Sequence, residues 1–126
     1  MERIQYELQS YRGKIVEVPR EYAEIAQEIV DKGVKGREMS DRVKPLVIES
    51  LFGNMGILSA YGRLAESVQF REKDASLPLS KDTLRYQDEV YLRICINLNE
   101  KRMRGPERDD AMSVDRGLID AINSLN

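Results

Sequence analysis

Val90-Tyr91-Leu92-Arg93-Ile94-Cys95-Ile96-Asn97-Leu98 is the stretch whose reading decides the fold. As a strand it alternates, with Val90, Leu92, Ile94, Ile96 and Leu98 on one side. As a helix it gathers Tyr91, Ile94, Cys95 and Leu98, with Leu84 upstream, on one face. Asn97 and Asn99 are poor strand residues. Glu89 precedes Arg93 by four positions, the order in which an acid and a base support a helix. The helix is therefore the preferred reading.

Working outward from it, Ser80 or Asp82 can cap this helix, and residues 71–80, with Pro78, read as a polar loop. Ahead of the loop, Ile57, Leu58, Tyr61, Leu64, Ala65 and Val68 recur at helical spacing to about Phe70. Leu46, Val47, Ile48, Leu51 and Phe52 make a further apolar set. Its helix should begin near Pro45, because proline deeper in a helix removes a hydrogen bond. Gly53-Asn54-Met55-Gly56 bends or interrupts this region, which leaves one bent helix and two separate ones both open. On the other side, Gly105-Pro106 breaks the chain. Glu107, Asp109 and Asp110 then suit a first turn, and Ala111, Val114, Leu118, Ala121, Ile122 and Leu125 form a last amphipathic stripe.

The N-terminal third carries the clearest helix. Tyr22, Ile25, Ala26, Ile29 and Val30 form its apolar stripe, and Glu21, Glu24, Gln27, Glu28 and Asp31 face water. Pro19 suits its first position, and Lys32-Gly33 offers a basic last turn and a left-handed stop. Before it, residues 14–18 are short and β-branched and read as a strand. Ile4, Tyr6 and Leu8 fit a strand by alternation, while Ile4, Leu8 and Tyr11 fit a helix. A hairpin turning at residues 10–13 is one outcome. The expected fold is mainly α: a compact bundle of four to five amphipathic helices, with a short N-terminal strand or hairpin as an addition. Residues 1–126 read as one domain, 1–18 being a strand pair or N-terminal arm and 19–126 the helical bundle.

Composition narrows the chemistry. The 126 residues hold 20 basic and 22 acidic side chains, a net charge of −2, which leaves no global field to hold nucleic acid or an anionic membrane. One cysteine rules out an intrachain disulfide, and no apolar run approaches spanning length. The expected setting is cytoplasmic, without membrane contact. There is no histidine, so Ser–His and Cys–His nucleophile pairs and His-ligated metal sites are excluded. An enzyme built on this chain would depend on carboxylates and Mg²⁺. Asp88-Glu89 and Asp109-Asp110 are poor chelators because adjacent acids on a helix diverge, and they read as solvated surface. Cys95, among Leu92, Ile94 and Ile96, reads as buried and inert. No catalytic residue, metal ligand or cofactor is assigned.

Two short resemblances bear on nucleic acid. Gly33-Val34-Lys35-Gly36 is similar to the GxxG loop of KH domains, in which glycine admits a phosphate backbone and a lysine adds attraction. Lys32 stands where that family places an aliphatic residue, and a helix stop followed by a turn is the preferred reading. Residues 14–51 resemble ribbon-helix-helix DNA-binding proteins. Ile15, Val16, Val18, Pro19 and Tyr22 open that motif and Gly33, Arg37 and Ser40 form its turn. The resemblance implies a dimer whose outward strand residues, Lys14 and Glu17, meet DNA. Pro45 inside its second helix departs from the pattern. Lys101, Arg102, Arg104 and Arg108 form a basic cluster, with Arg85 and Arg93 upstream.

The expected function is a non-enzymatic helical subunit or adaptor of a larger macromolecular assembly, one that handles nucleic acid among the options. It would bind a protein partner or itself. The alternative is a small dimeric DNA- or RNA-binding regulator using the N-terminal strand-helix-turn-helix region or the basic cluster. Lys35, Arg37, Lys101, Arg102, Arg104 and Arg108 are the candidate binding residues, and Met55, Tyr61, Phe70 and Tyr91 the large side chains best suited to meet a partner.

Overall fold

The computed structural model describes residues 2–33, 37–48, 54–69, 79–101 and 108–125, with the backbone alone at 69, 101 and 108–115. It opens with an antiparallel hairpin of β1 (Arg3–Glu7) and β2 (Ile15–Pro19), paired Arg3 with Pro19 through Glu7 with Ile15. Alternation is what makes these residues a strand pair. Leu8, Val16 and Val18 are buried and Gln5, Glu7 and Glu17 are exposed. The turn closes through a 3.2 Å bond from the Lys14 N–H to the Tyr11 carbonyl, with Gly13 at φ 90°, a backbone angle that favours glycine. The Glu7 carboxylate also accepts the Gly13 N–H at 3.1 Å.

Pro19 ends β2 and forms the cap of α1 (Arg20–Glu28) rather than taking its first helical position. The α1 stripe buries Tyr22, Ala23, Ile25 and Ala26. Beyond it the chain widens into a π-helical turn, Ile29–Gly33, that keeps Ile29 and Val30 in the core. Gly33 is not a left-handed stop: Gly13 is the positive-φ glycine among the described residues. Gly33 instead admits a close approach, since a Cβ there would displace the ends of the Tyr61 and Met39 side chains. The turn is then fastened by Glu28, which accepts the Ser40 N–H at 2.9 Å, the Ser40 hydroxyl at 3.0 Å and the Lys32 ammonium at 3.0 Å.

Helix α2 (Lys44–Val47) starts near Pro45 as expected, with the proline in its first turn. Helix α3 (Met55–Gln69) has a start of its own, where the Asn54 side chain accepts the Ile57 N–H at 3.2 Å. Residues 49–53, which hold part of the expected bend, and 70–78, the expected polar loop with Phe70, lie outside the described residues. Helix α4 (Lys81–Lys101) contains the whole ambiguous stretch, and α5 (Arg108–Asn123) follows. Ser80 caps α4 by accepting the Thr83 N–H at 3.1 Å.

The fold is mainly α, as the periodicity predicts. Helix α4 is its axis, packed by α1, α3 and α5, with the hairpin against α1 and α5 and bonded to the middle of α4. Val90, Leu92, Ile94 and Cys95 have no exposed surface, and Tyr91, Leu98 and Asn99 are buried with them. Burial of the successive positions 90–92 and 94–95 explains why this stretch fits two periods at once: the polar face of the helix narrows here to Glu89, Arg93 and Glu100. No helix among the described residues is long and apolar enough to cross a membrane.

The expected outward strand pair does not form. The side chains of β2 that point away from the core are Ile15 and Glu17. One flank of β2 is paired with β1 of the same chain, and α5 packs against the strand as well. In the ribbon-helix-helix arrangement that strand pairs with a second copy.

Candidate partner-binding site

Asp88 and Glu89 follow one another on α4, and neither is the solvated acid that the sequence suggests. Asp88 is completely buried. Its Oδ1 accepts the Tyr6 hydroxyl at 2.6 Å and the Gln9 N–H at 2.9 Å. Its Oδ2 accepts the Ser10 N–H at 2.8 Å and the Ser10 hydroxyl at 2.6 Å. These donors come from the end of β1 and the start of its turn, so the carboxylate pins the hairpin to α4. Tyr6 also stacks on Tyr91, rings 3.9 Å apart and 13° from parallel. Burial, and then the charge of Asp88, pushes the Tyr6 hydroxyl far above its ordinary range, and burial raises Tyr91 and Cys95 as well. This knot is structural, with both Asp88 oxygens bonded to the hairpin. A signal for it existed, because Leu84, Asp88, Tyr91, Cys95 and Leu98 fall on one helical stripe and Asp88 occupies an apolar slot in it.

Glu89 points to the α3 side. Its Oε1 accepts Arg63 Nη2 of α3 and Arg93 Nε of α4, each at 3.0 Å. Arg93 lies over Gly56, where an added Cβ would sit 3.3 Å from its Nη1. Arg63 also donates to the Ser59 hydroxyl at 3.0 Å. One turn back on α4, Tyr86 carries two guanidinium groups over its ring, Arg85 at 5.4 Å and Arg63 at 5.9 Å from the centroid. Arg85 reaches Asp82 at 3.5 Å.

The side chains of Arg63, Arg85 and Arg93 remain 44%, 41% and 37% exposed, against 17% for Glu89. Two of these cations hold one largely covered carboxylate and the third pairs with Asp82, and all three side chains stay partly exposed. The half-buried Ile122 and Leu125 close the group in a cavity of about 270 Å³. Arg63 and Tyr86 also border a cleft of about 560 Å³ with Glu66, Ser67, Ser80, Asp82 and Thr83.

The cleft hydroxyls are committed to the fold. Thr83 donates to Ser67 at 3.1 Å, Ser67 to the Leu64 carbonyl at 3.0 Å, and Ser80 lies 2.8 Å from Thr83. With Thr83 fully buried, this relay joins the start of α4 to the last turns of α3. Among the described residues none of the three hydroxyls bonds to a carboxylate that could take its proton. What the face can do is hold an anion: planar guanidinium forks suit carboxylate or phosphate oxygens, and Tyr86 offers a flat surface between them.

Of the residues expected to bind, Arg37 is exposed on the segment after the π-helical turn, its N–H donating to the Lys32 carbonyl at 2.8 Å. Lys35, Arg102 and Arg104 lie outside the described residues. Lys101 ends α4 and Arg108 begins α5, and their side chains lie outside as well. Arg85 and Arg93 join a charged group, but one completed by Arg63 and Tyr86, which the sequence did not single out. Arg63 is 26 positions from Glu89, so only packing of α3 on α4 unites them. Among the large side chains, Met55 is 76% exposed, whereas Tyr61 is half-buried beside Gly33 and Tyr91 is in the core. Compared with protein-family models, curated proteins and solved structures, the chain matches none.

Proposed function

We propose that this protein is a non-enzymatic helical adaptor in a larger assembly, working in the cytoplasm, and that it grips an acidic protein segment on the α3–α4 face. The observation that carries this reading is the trio Arg63, Arg85 and Arg93 around Tyr86 and Glu89, with Ile122 and Leu125 alongside. A peptide with carboxylates and one or two apolar side chains would exchange water for charge-assisted bonds at the arginines and bury its apolar groups on Ile122 and Leu125. Arginine and tyrosine are the residue types that most often dominate the energy of such contacts.

A protein segment fits better than a nucleic acid. Glu66, Asp82 and Glu89 are interleaved with the arginines and would repel a continuous phosphate backbone along its length, whereas a short segment can set a few carboxylates at the arginines alone. The regulator reading keeps one favourable feature, an aromatic ring flanked by guanidinium groups on which a base can stack.

The test is titration at low salt with a fluorescent peptide of glutamates and leucines, and separately with single-stranded and duplex oligonucleotides. Adaptor function predicts peptide binding that weakens with salt and falls about tenfold or more in Arg85→Ala/Arg93→Ala, a loss of roughly 1.4 kcal/mol or more. Tighter binding of the oligonucleotides, lost in the same variant, transfers the face to the regulator reading. Binding of neither probe overturns both.

A further inference from the structure

One flank of the hairpin pairs with no strand among the described residues, and the Gln9 side-chain amide donates to the Glu7 carbonyl at its end. In β1, Glu2 and Leu8 mark the parity of the ladder. The Arg20 N–H donates to the Glu2 carbonyl and the Leu8 N–H to the Lys14 carbonyl, each at 2.9 Å. Even-numbered residues of β1 therefore direct their backbone groups at β2, and the odd-numbered Arg3, Gln5 and Glu7 direct theirs outward. The sheet has two strands, so no third strand among the described residues meets that edge. Exposed edges are ordinarily blunted by lysine, proline or a bulge. The edge Arg3-Ile4-Gln5-Tyr6-Glu7 has none of these, and its central residue is uncharged.

That pattern also matches itself when reversed. Laid antiparallel on a second copy about a two-fold axis at Gln5, the strand places Arg3 opposite Glu7, Ile4 opposite Tyr6 and Gln5 opposite Gln5. Odd faces odd, as the outward backbone groups demand. Each end then pairs a cation with an anion, and Ile4 and Tyr6, both only partly buried, cover one another on the core side. We infer that β1 is a self-association edge, and that two copies of this chain join their hairpins into one four-stranded antiparallel sheet. Glu7 already gives one carboxylate oxygen to the Gly13 N–H and its carbonyl to the Gln9 amide at 3.2 Å, which leaves its second carboxylate oxygen for the partner arginine. Arg3 makes an interaction within its own chain, and the cross-strand contact adds to it or exchanges with it. The inference is independent of the arginine face, which lies on α3 and α4.

The experiment is native mass by light scattering or sedimentation over a wide concentration range, on the full chain. Wild type is expected to pass from one to two copies as concentration rises. Gln5→Pro removes the central outward N–H without touching a bond to β2 and is expected to stay monomeric. Arg3→Glu opposes two acids at each end of the junction and Glu7→Arg opposes two bases, so each alone should weaken association about tenfold or more. Mixing these two variants restores opposite charges at both ends and should restore the dimer. A wild type that is monomeric throughout, a Gln5→Pro protein that dimerises normally, or a mixture no more associated than its components overturns the proposal. The acidic-peptide titration reads the other face, so the failure of either leaves the other standing.

Discussion

Asp88 and Glu89 are neighbours on one helix with the same charge, and the molecule treats them in opposite ways. Asp88 is enclosed and satisfied by four donors from neutral groups of the hairpin, with no cation against it among the described residues. Glu89 sits at the edge of water and is satisfied by two arginines whose side chains stay partly exposed. A carboxylate without a cation is tolerable inside only because each oxygen receives hydrogen bonds of fixed geometry, and that ties the hairpin to α4. A carboxylate shared by partly exposed arginines contributes little stability but holds their forks in place, ready for another anion. The contrast separates what fixes this fold from what it offers to a partner.

The contrast would break most visibly at Asp88. Asp88→Ala leaves the Tyr6 and Ser10 hydroxyls and two backbone N–H groups without their acceptor, and should cost about 3 kcal/mol or more. Thermal melting followed by far-UV circular dichroism would register the loss, and the near-UV tyrosine signal should fall as the Tyr6–Tyr91 stack loosens. A loss below about 0.5 kcal/mol would remove Asp88 from its structural role.

Alkaline pH tests the same knot. Tyr6, Tyr91 and Cys95 hold their protons more tightly folded than unfolded, so their contribution is intact below the unfolded values, about 8.5 for cysteine and 10 for tyrosine. It is lost as pH rises past them, because only the unfolded chain then releases protons. Denaturant midpoints should fall progressively above about pH 9, and less steeply in Tyr6→Phe. A midpoint that is flat or rising there contradicts the buried assignment.

Glu28 is an intermediate case. The Ser40 N–H, then Lys32, hold its carboxyl below the usual glutamate range. Its contribution is full above the unfolded value of about 4.3 and fades as pH falls through the depressed folded value. Wild type should lose slightly more stability than Glu28→Gln between about pH 5 and 3, in denaturant titrations at each pH. Identical slopes would mean that the carboxylate does not fasten the segment at Ser40.

Glu89 should show the smallest effect on stability and an opposite effect on binding. Glu89→Gln removes the internal competitor for Arg63 and Arg93 at a cost of about 1 kcal/mol or less, and should tighten an acidic peptide several-fold. Weaker peptide binding in this variant would show that Glu89 completes the face instead of competing for it.

How much of this was legible depended on how local each cause is. The β-branched run before Pro19, the stripe from Tyr22 to Val30 and the cap at Ser80 act within a turn or two, and the sequence shows them directly. The axis helix was legible only as a conflict, because burial on most sides narrows the polar face that sets a period. Gly33 was recognisable as punctuation but not for its cause, the Tyr61 hydroxyl arriving from α3. Asp88 looked like surface because acids are rarely buried, although its place in the Leu84–Tyr91–Cys95 stripe marked it. The arginine face joins residues from three helices, and proximity of that kind is written in packing alone.

The most direct test of the adaptor claim is the acidic-peptide titration on wild type and Arg85→Ala/Arg93→Ala, with both melting temperatures recorded. The expected result is melting that differs by no more than about 5 °C together with affinity about tenfold or more lower in the variant. Equal affinity in two equally folded proteins would contradict the assignment of this face.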